Sequence, residues 1–311
     1  MAFLHTNGID IAYEVAGDPA GTPVLLIMGL GMQLIAWPQE FVDGLVDQGA
    51  YVIRFDNRDS GLSTKFDGAG TPNVLLAIIK HSLRLPLRSA YLLDDMAEDA
   101  VGVLNALGIA KAHVIGASMG GMIAQIVAAR HPHRVLSLTS IMSSSGRRGL
   151  PGPEPQARAV LLQRPKRGAG REQVIDHMVN TFRAIGSPAY PTPERVMRAR
   201  MRTAVERNTC NAGVLRQMLA IAASGDRVKL LESIVVPTLV IHGAADPLVP
   251  LACGVDTAKL IPQARLEVIE GMGHDLPAAL IERLLALIDA HAHGKMAADS
   301  TAGIYKISDY S

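Results

Sequence analysis

Two hydrophobic patterns take turns along this chain. Short apolar runs bounded by turn residues read as strands, and longer stretches with apolar positions three and four apart read as helices. Ile9 to Val15 alternates apolar and polar side chains as a half-buried strand does, and Asp18-Pro19-Ala20-Gly21 then turns the chain. Val24 to Met28 is wholly apolar, as expected of a central parallel strand covered on both faces, and Gly29-Leu30-Gly31 ends it. Tyr51 to Phe55, Ala112 to Ile115, Val135 to Met142, Val235 to His242 and Ala264 to Glu270 read as further strands. Helical periodicity fills the intervals at Pro38 to Gln48, Leu92 to Leu107, Met122 to Ala129, Leu251 to Ile261 and Pro277 to His291. The alternation predicts an α/β protein with a doubly wound, mostly parallel sheet.

Two regions depart from the alternation. Residues 143–225 carry prolines, many arginines and several amphipathic helical stretches but no strand, which predicts an all-helical insert after about the sixth strand. The core then comprises residues 1–142 and 226–294, and a polar tail, 295–311, follows it. Thr71 to Arg88, whose apolar and basic residues include Leu75, Leu76, Ile78, Ile79, Lys80 and Arg84, predicts an amphipathic helix shortened by Pro86, read as packed over the core in preference to the alternative of a membrane contact.

Composition narrows the function. A chain of 311 residues with 49% apolar content is long enough for one large α/β core. Thirty basic against 29 acidic side chains argue against nucleic acid or an anionic membrane as the main partner. Met1 to His5 runs straight into strand-like sequence without the regions of a secretory leader, and no apolar run is long enough for stable membrane insertion, so a cytoplasmic protein is expected. Cys210 and Cys253 show no metal or redox spacing, and neither a metal-ligand cluster nor a dinucleotide fingerprint is visible, so no cofactor is expected.

The chemistry is concentrated at Gly116-Ala117-Ser118-Met119-Gly120-Gly121, between a predicted strand and a predicted helix. Strand, Gly-x-Ser-x-Gly, helix is the setting of a nucleophile elbow, in which the turn thrusts the serine hydroxyl out of the sheet. Gly116 and Gly120 let strand and helix pass closely, and the Met119 amide falls in the first helical turn, where unpaired N–H groups suit an oxyanion. A serine needs a base. Of ten histidines, His274 stands in a glycine-rich loop directly after the last strand, at the sheet edge where open α/β folds gather catalytic groups. His242 closes a core strand and reads as a satisfied, partly buried residue, while His131, His133, His291 and His293 lie at helix ends or on a polar helix. The base needs a carboxylate to hold its tautomer. Asp246, just past the preceding strand, is the best placed; Asp275 would have to fold back on its neighbour, Asp226 reads as a helix cap, and Asp56 and Asp59 fall in an earlier loop.

Ser118, Asp246, His274 is the chain order of the α/β-hydrolase superfamily. The resemblance extends to Asp56–Ser63, which is similar to that superfamily's Asp-x-Arg-Gly-x-Gly-x-Ser loop with Asp59 where the first glycine is usual. It extends also to Leu93-Asp94-Asp95-Met96-Ala97, to His242-Gly243-x-x-Asp246-x-x-x-Pro250 and to Gly273-His274. Within the superfamily the sequence resembles cap-bearing carboxylesterases, including the aclacinomycin-methylesterase-like enzymes. The resemblance implies that the helical insert covers the site. It also implies a second oxyanion donor after the third strand, where His-Gly-x is usual; here Met28-Gly29-Leu30 would supply the Leu30 amide and lacks the histidine's polar brace.

The expected reaction is hydrolysis of a carboxylic ester of a small molecule through an acyl-enzyme. The same triad and fold can instead cleave lactones, thioesters or carbon–carbon bonds, or form peracids, and a hydrolase-fold receptor would keep the pocket without useful turnover. Methionines on the loops facing Ser118, namely Met28, Met32 and Met142 besides Met119 and Met122, predict an adaptable apolar pocket, with Met122 the first to be assigned to the core. The insert's arginines (Arg147, Arg148, Arg158, Arg164, Arg183, Arg195, Arg198, Arg200, Arg202 and Arg207) read mostly as solvated helix faces, so a neutral, apolar ester is expected.

Overall fold

The computed structural model describes residues 1–83, 85–163, 168 and 170–294. Arg84, Arg164 and the tail 295–311 lie outside the described residues. In chain order the core elements are β1 (Ala2–Thr6), β2 (Ile9–Ala16), β3 (Thr22–Ile27), α1 (Gln39–Asp47), β4 (Ala50–Phe55), α2 (Val74–Ser82), α3 (Leu93–Ala106), β5 (Ala112–Ala117), α4 (Met119–Arg130) and β6 (Val135–Ile141). Five helices follow, α5 (Pro155–Leu162), α6 (Arg171–Ile185), α7 (Glu194–Arg207), α8 (Asn211–Ser224) and α9 (Val228–Glu232). β7 (Thr238–Gly243), α10 (Leu251–Leu260), β8 (Arg265–Ile269) and α11 (Ile281–Ala292) complete the chain.

The strands form one eight-stranded sheet in the order β1-β2-β4-β3-β5-β6-β7-β8. β2 pairs antiparallel with β1 and β4, and every other pairing is parallel. Side chains of period two explain how one sheet serves two cores. Leu25 and Ile27 of β3 join the apolar cluster under α3 and α4, whereas Val24 and Leu26 join the cluster with Phe41 of α1 and Leu284 of α11. Val235 is 79% exposed and β7 begins only after Pro237, later than the apolar run suggests, because proline has no N–H for the ladder.

The five helices between β6 and β7 have a small core of their own, Ile175 and Val179 of α6 against Met201 of α7. α2 departs from what the periodicity predicts: Leu75, Leu76 and Ile79 are all exposed, and the helix packs against α8. Among the described residues no helix is long and apolar enough to cross a membrane.

Candidate active site

Ser118 occupies the step between β5 and α4, with φ 56° and ψ −121°. A side chain at positive φ is strained, so the neighbours must enforce it. They do so by close approach: a Cβ on Gly116 would run into the Gly120 carbonyl, and one on Gly120 into the carbonyl of Ile27. The Ser118 amide donates to Ile141 O at 2.9 Å, and Ser143 Oγ donates to Ser118 O at 2.8 Å. The hydroxyl is thereby directed at the C-terminal edge of the sheet.

His274 reaches that hydroxyl from the loop after β8, with Nε2 2.9 Å from Ser118 Oγ. Its Nδ1 lies 2.7 Å from Asp246 Oδ2, so with the proton on Nδ1 the ring donates to the carboxylate and accepts from the serine. Asp246 follows β7, and its other oxygen accepts the amides of Leu248 and Val249 at 2.9 and 2.8 Å. One carboxylate therefore closes its own turn and orients the ring. Both His274 and Asp246 are buried. The structure thus brings together the three side chains singled out in sequence.

The rival carboxylates are engaged elsewhere. Asp275 does not fold back on His274; its Oδ1 accepts the amide and hydroxyl of Ser187 at 3.0 and 2.5 Å. Burial raises its pKa and those two hydrogen bonds lower it by less. Asp226 accepts the Val228 amide at the start of α9. His242 departs from its expected role. It is wholly buried; Nε2 donates to Val249 O at 2.7 Å, but Nδ1 has no partner among the described residues, and burial lowers its pKa.

The turn after β3 passes beside the serine. A Cβ on Gly29 would lie 3.1 Å from Ser118 Cβ and 3.6 Å from its Oγ. Met32 N donates to Gly29 O at 3.2 Å and Gly31 N to Gln217 Oε1 at 2.7 Å, whereas neither the Leu30 nor the Met119 amide has an acceptor among the described residues. One of these amides follows Ser118 in the chain and the other lies in the turn beside it. Of the methionines, Met28 and Met142 are buried in the cluster beneath α1 and α11, and Met32 packs against the same cluster. Met122 of α4 packs, partly buried, against the core cluster as expected, and Met119, 1% exposed, is a member of that cluster.

Sequence reasoning missed the polar residues of the insert that grip this site. Arg216 of α8 is almost wholly buried, with Nε and Nη2 each 2.7 Å from a different oxygen of Asp59. Tyr91 Oη donates to Asp59 Oδ2 at 2.7 Å and the Phe66 amide to Oδ1 at 2.9 Å. Burial alone would raise the Asp59 carboxyl, but the hydrogen bonds from Arg216, Tyr91 and Phe66 together hold it below its ordinary value. Asp59 has φ 67°, the conformation that makes glycine usual in this loop, and its carboxylate is what a glycine lacks. On the other side Ser187 Oγ accepts the Gly273 amide at 2.9 Å, and Ile185 O accepts the His274 amide at 2.7 Å. The only sequence signal for any of these was Asp59 itself, an acid out of pattern.

An elbow serine after β5, an acid after β7 and a histidine after β8 of a mostly parallel sheet fit the α/β hydrolases, and the chain belongs to that family: the model of the alpha/beta hydrolase fold matches residues 22–277. Among curated relatives the chain is 33% identical over 299 residues to rhodomycin D methylesterase DauP of a Streptomyces species, covering 89% of this chain and 93% of that protein. It is 30% identical over 306 residues to rhodomycin D methylesterase DnrP of Streptomyces peucetius, covering 93% and 96% respectively. Among solved structures, a meta-cleavage product hydrolase from Pseudomonas fluorescens shares the fold with a TM-score of 0.74 at 21% identity, over 95% of this chain and 98% of that one.

Proposed function

We propose that the protein hydrolyses a neutral, apolar carboxylic ester, with Ser118 as nucleophile, His274 as general base and acid, and Asp246 as the group that orients His274. The observation that carries the proposal is the hydrogen-bond chain Ser118–His274–Asp246, at 2.9 and 2.7 Å, with the unpartnered amides of Met119, next along the chain, and of Leu30, in the turn beside Ser118. His274 Nε2 takes the Ser118 proton as Oγ attacks the carbonyl carbon, and the two amides bind the resulting oxyanion. Collapse breaks the bond to the leaving alkoxide, which receives the proton from His274. Water, deprotonated by the same nitrogen, then releases the acid and returns Ser118 its proton. The methylesterase names of the two Streptomyces relatives support an ester, and a methyl ester in particular. The helices from α5 to α8 act as a cap over the site, anchored through Arg216 and Ser187.

A fluorophosphonate probe and a panel of neutral esters, lactones and thioesters test the proposal together. Labelling of Ser118, multiple turnovers on esters, and loss of about 10⁶-fold in kcat in Ser118→Ala are expected. Turnover that survives Ser118→Ala, or a single stoichiometric event as in a receptor, would overturn it.

A further inference from the structure

The turn that offers the Leu30 amide is built from flexible parts. It reads Gly29-Leu30-Gly31-Met32, with the Met32 amide donating back to Gly29 O and Gly31 at φ 68°. A four-residue turn closed in this way, with a positive φ at its third residue, has the type II pattern. In such a turn the closing hydrogen bond fixes the first peptide. A trans peptide sets its N–H opposite its C=O, so holding Gly29 O inside the turn aims the Leu30 N–H outward. The central peptide, Leu30–Gly31, carries no part of that bond, and with a glycine on each side of Leu30 little within the turn opposes a shift of the whole turn away from Ser118.

One side chain opposes it here. Gln217 is wholly buried on α8, and its Oε1 accepts the N–H of that central peptide at 2.7 Å. Its Nε2 donates to Arg58 O at 2.8 Å and to Ser60 Oγ at 3.0 Å. Both ends of the amide are therefore committed, and their donor and acceptor demands allow only one orientation. The preceding residue, Arg216, is locked to Asp59, so α8 cannot slide or rotate to release the glutamine. The far end of the turn is tied to the insert as well: Gln33 Nε2 donates to Ala204 O and Asn208 O at 2.7 and 2.8 Å and its Oε1 accepts from Arg207.

We propose that Gln217 is a positioning residue for the oxyanion hole, a buried insert amide that holds the Leu30–Gly31 peptide and so keeps the whole turn, the Leu30 N–H included, seated beside Ser118. This rests on the ester-hydrolase reading of the same site. The insert in this protein completes the catalytic machinery besides covering it, taking the place of the polar brace that Met28 does not provide.

The test compares Gln217→Met, equal in length but with no amide, against wild type on a p-nitrophenyl ester. kcat falls about 10–100-fold, less than or equal to the loss of a whole oxyanion donor, while KM changes by less than about threefold. An alkylboronic acid, whose tetrahedral serine adduct places an oxygen in the hole, binds weaker by a factor similar to the fall in kcat. Should Gln217→Met not fold, Gln217→Asn, too short to reach Gly31, carries the same expectation. A folded variant with kcat and boronate affinity within about twofold of wild type overturns the proposal, since a structural glutamine would lower only the melting temperature. If wild type itself neither turns over esters nor takes a fluorophosphonate at Ser118, it is the ester-hydrolase reading that has failed.

Discussion

Asp59→Gly restores the residue usual at this point of the loop, and it should nonetheless weaken the protein. Two effects oppose each other. Asp59 sits at φ 67°, and glycine there relieves about 1 kcal/mol of backbone strain. Against that, the Asp59 carboxylate is wholly buried and takes two Arg216 contacts of 2.7 Å, with the Arg216 side chain only 2% exposed. Removing one partner of a buried pair strands the other charge, at a cost of about 3–5 kcal/mol. Gly70 O at 2.7 Å and the exposed Asp67 at 3.4 Å remain beside the guanidinium but do not replace a bidentate carboxylate, and the Tyr91 hydroxyl loses its acceptor. The balance is a loss of about 2–4 kcal/mol, visible as a fall of roughly 5–10 °C in melting temperature or as a lower urea midpoint at unchanged slope. Asp59→Gly combined with Arg216→Leu removes the stranded charge and should recover most of that loss. A single variant as stable as wild type, or a double variant no better than the single, would refute the argument that this ion pair anchors the insert.

Two further outcomes are expected. Asp246→Asn should lower kcat by about 10⁴-fold, as loss of the orienting carboxylate does in other triads, whereas Asp275→Asn, which only loosens the contact with Ser187, should cost less than about tenfold; steady-state kinetics of the two variants decides whether the acid has been assigned correctly. Stability should fall as pH drops from 6.5 toward 4, because burial, with His291 and His293 nearby, pushes His113 down from 6.5 to about 4, so the unfolded chain takes up a proton that the folded one refuses. That shift limits the effect of His113 to about 3 kcal/mol, or 1–2 after discounting the ring's partial exposure, and urea titrations of wild type and His113→Gln should converge above pH 7 and diverge as pH falls, the gap levelling off at about 4 and below.

The sheet was legible because its strands are short apolar runs ended by glycine or a polar turn, a signal that survives without knowledge of any partner. Ser118, Asp246 and His274 could be found for the same reason: each stands immediately past such a run, so position along the chain nearly determines position in space. Arg216, Gln217 and Ser187 follow no such rule. Their partners are Asp59, Gly31 and Gly273, between 86 and 186 residues away, and in α8 the buried Arg216 and Gln217 look like ordinary exposed helix positions. α2 failed in the opposite sense, since its apolar pattern promised burial that Leu75, Leu76 and Ile79 do not receive. Periodicity reports which side chains gain from a partner surface, not whether the chain supplies one.

The ties that Arg216, Gln217 and Ser187 make between insert and core have a consequence for recombination. Helical inserts after the sixth strand look interchangeable, since chain entry and exit lie close together at one sheet edge, where Ser145 O accepts the Arg227 amide at 2.9 Å. Here the boundary of the transplantable unit is not the boundary in sequence. An insert grafted from a relative without the equivalents of Arg216, Gln217 and Ser187 would close the chain correctly and still leave Asp59 buried without its arginine, Gly31 unclamped and Gly273 without its acceptor. Asp59 and the Gly29–Gln33 turn must travel with the helices, so a working chimera has to exchange pieces of the core that lie far upstream of the junction.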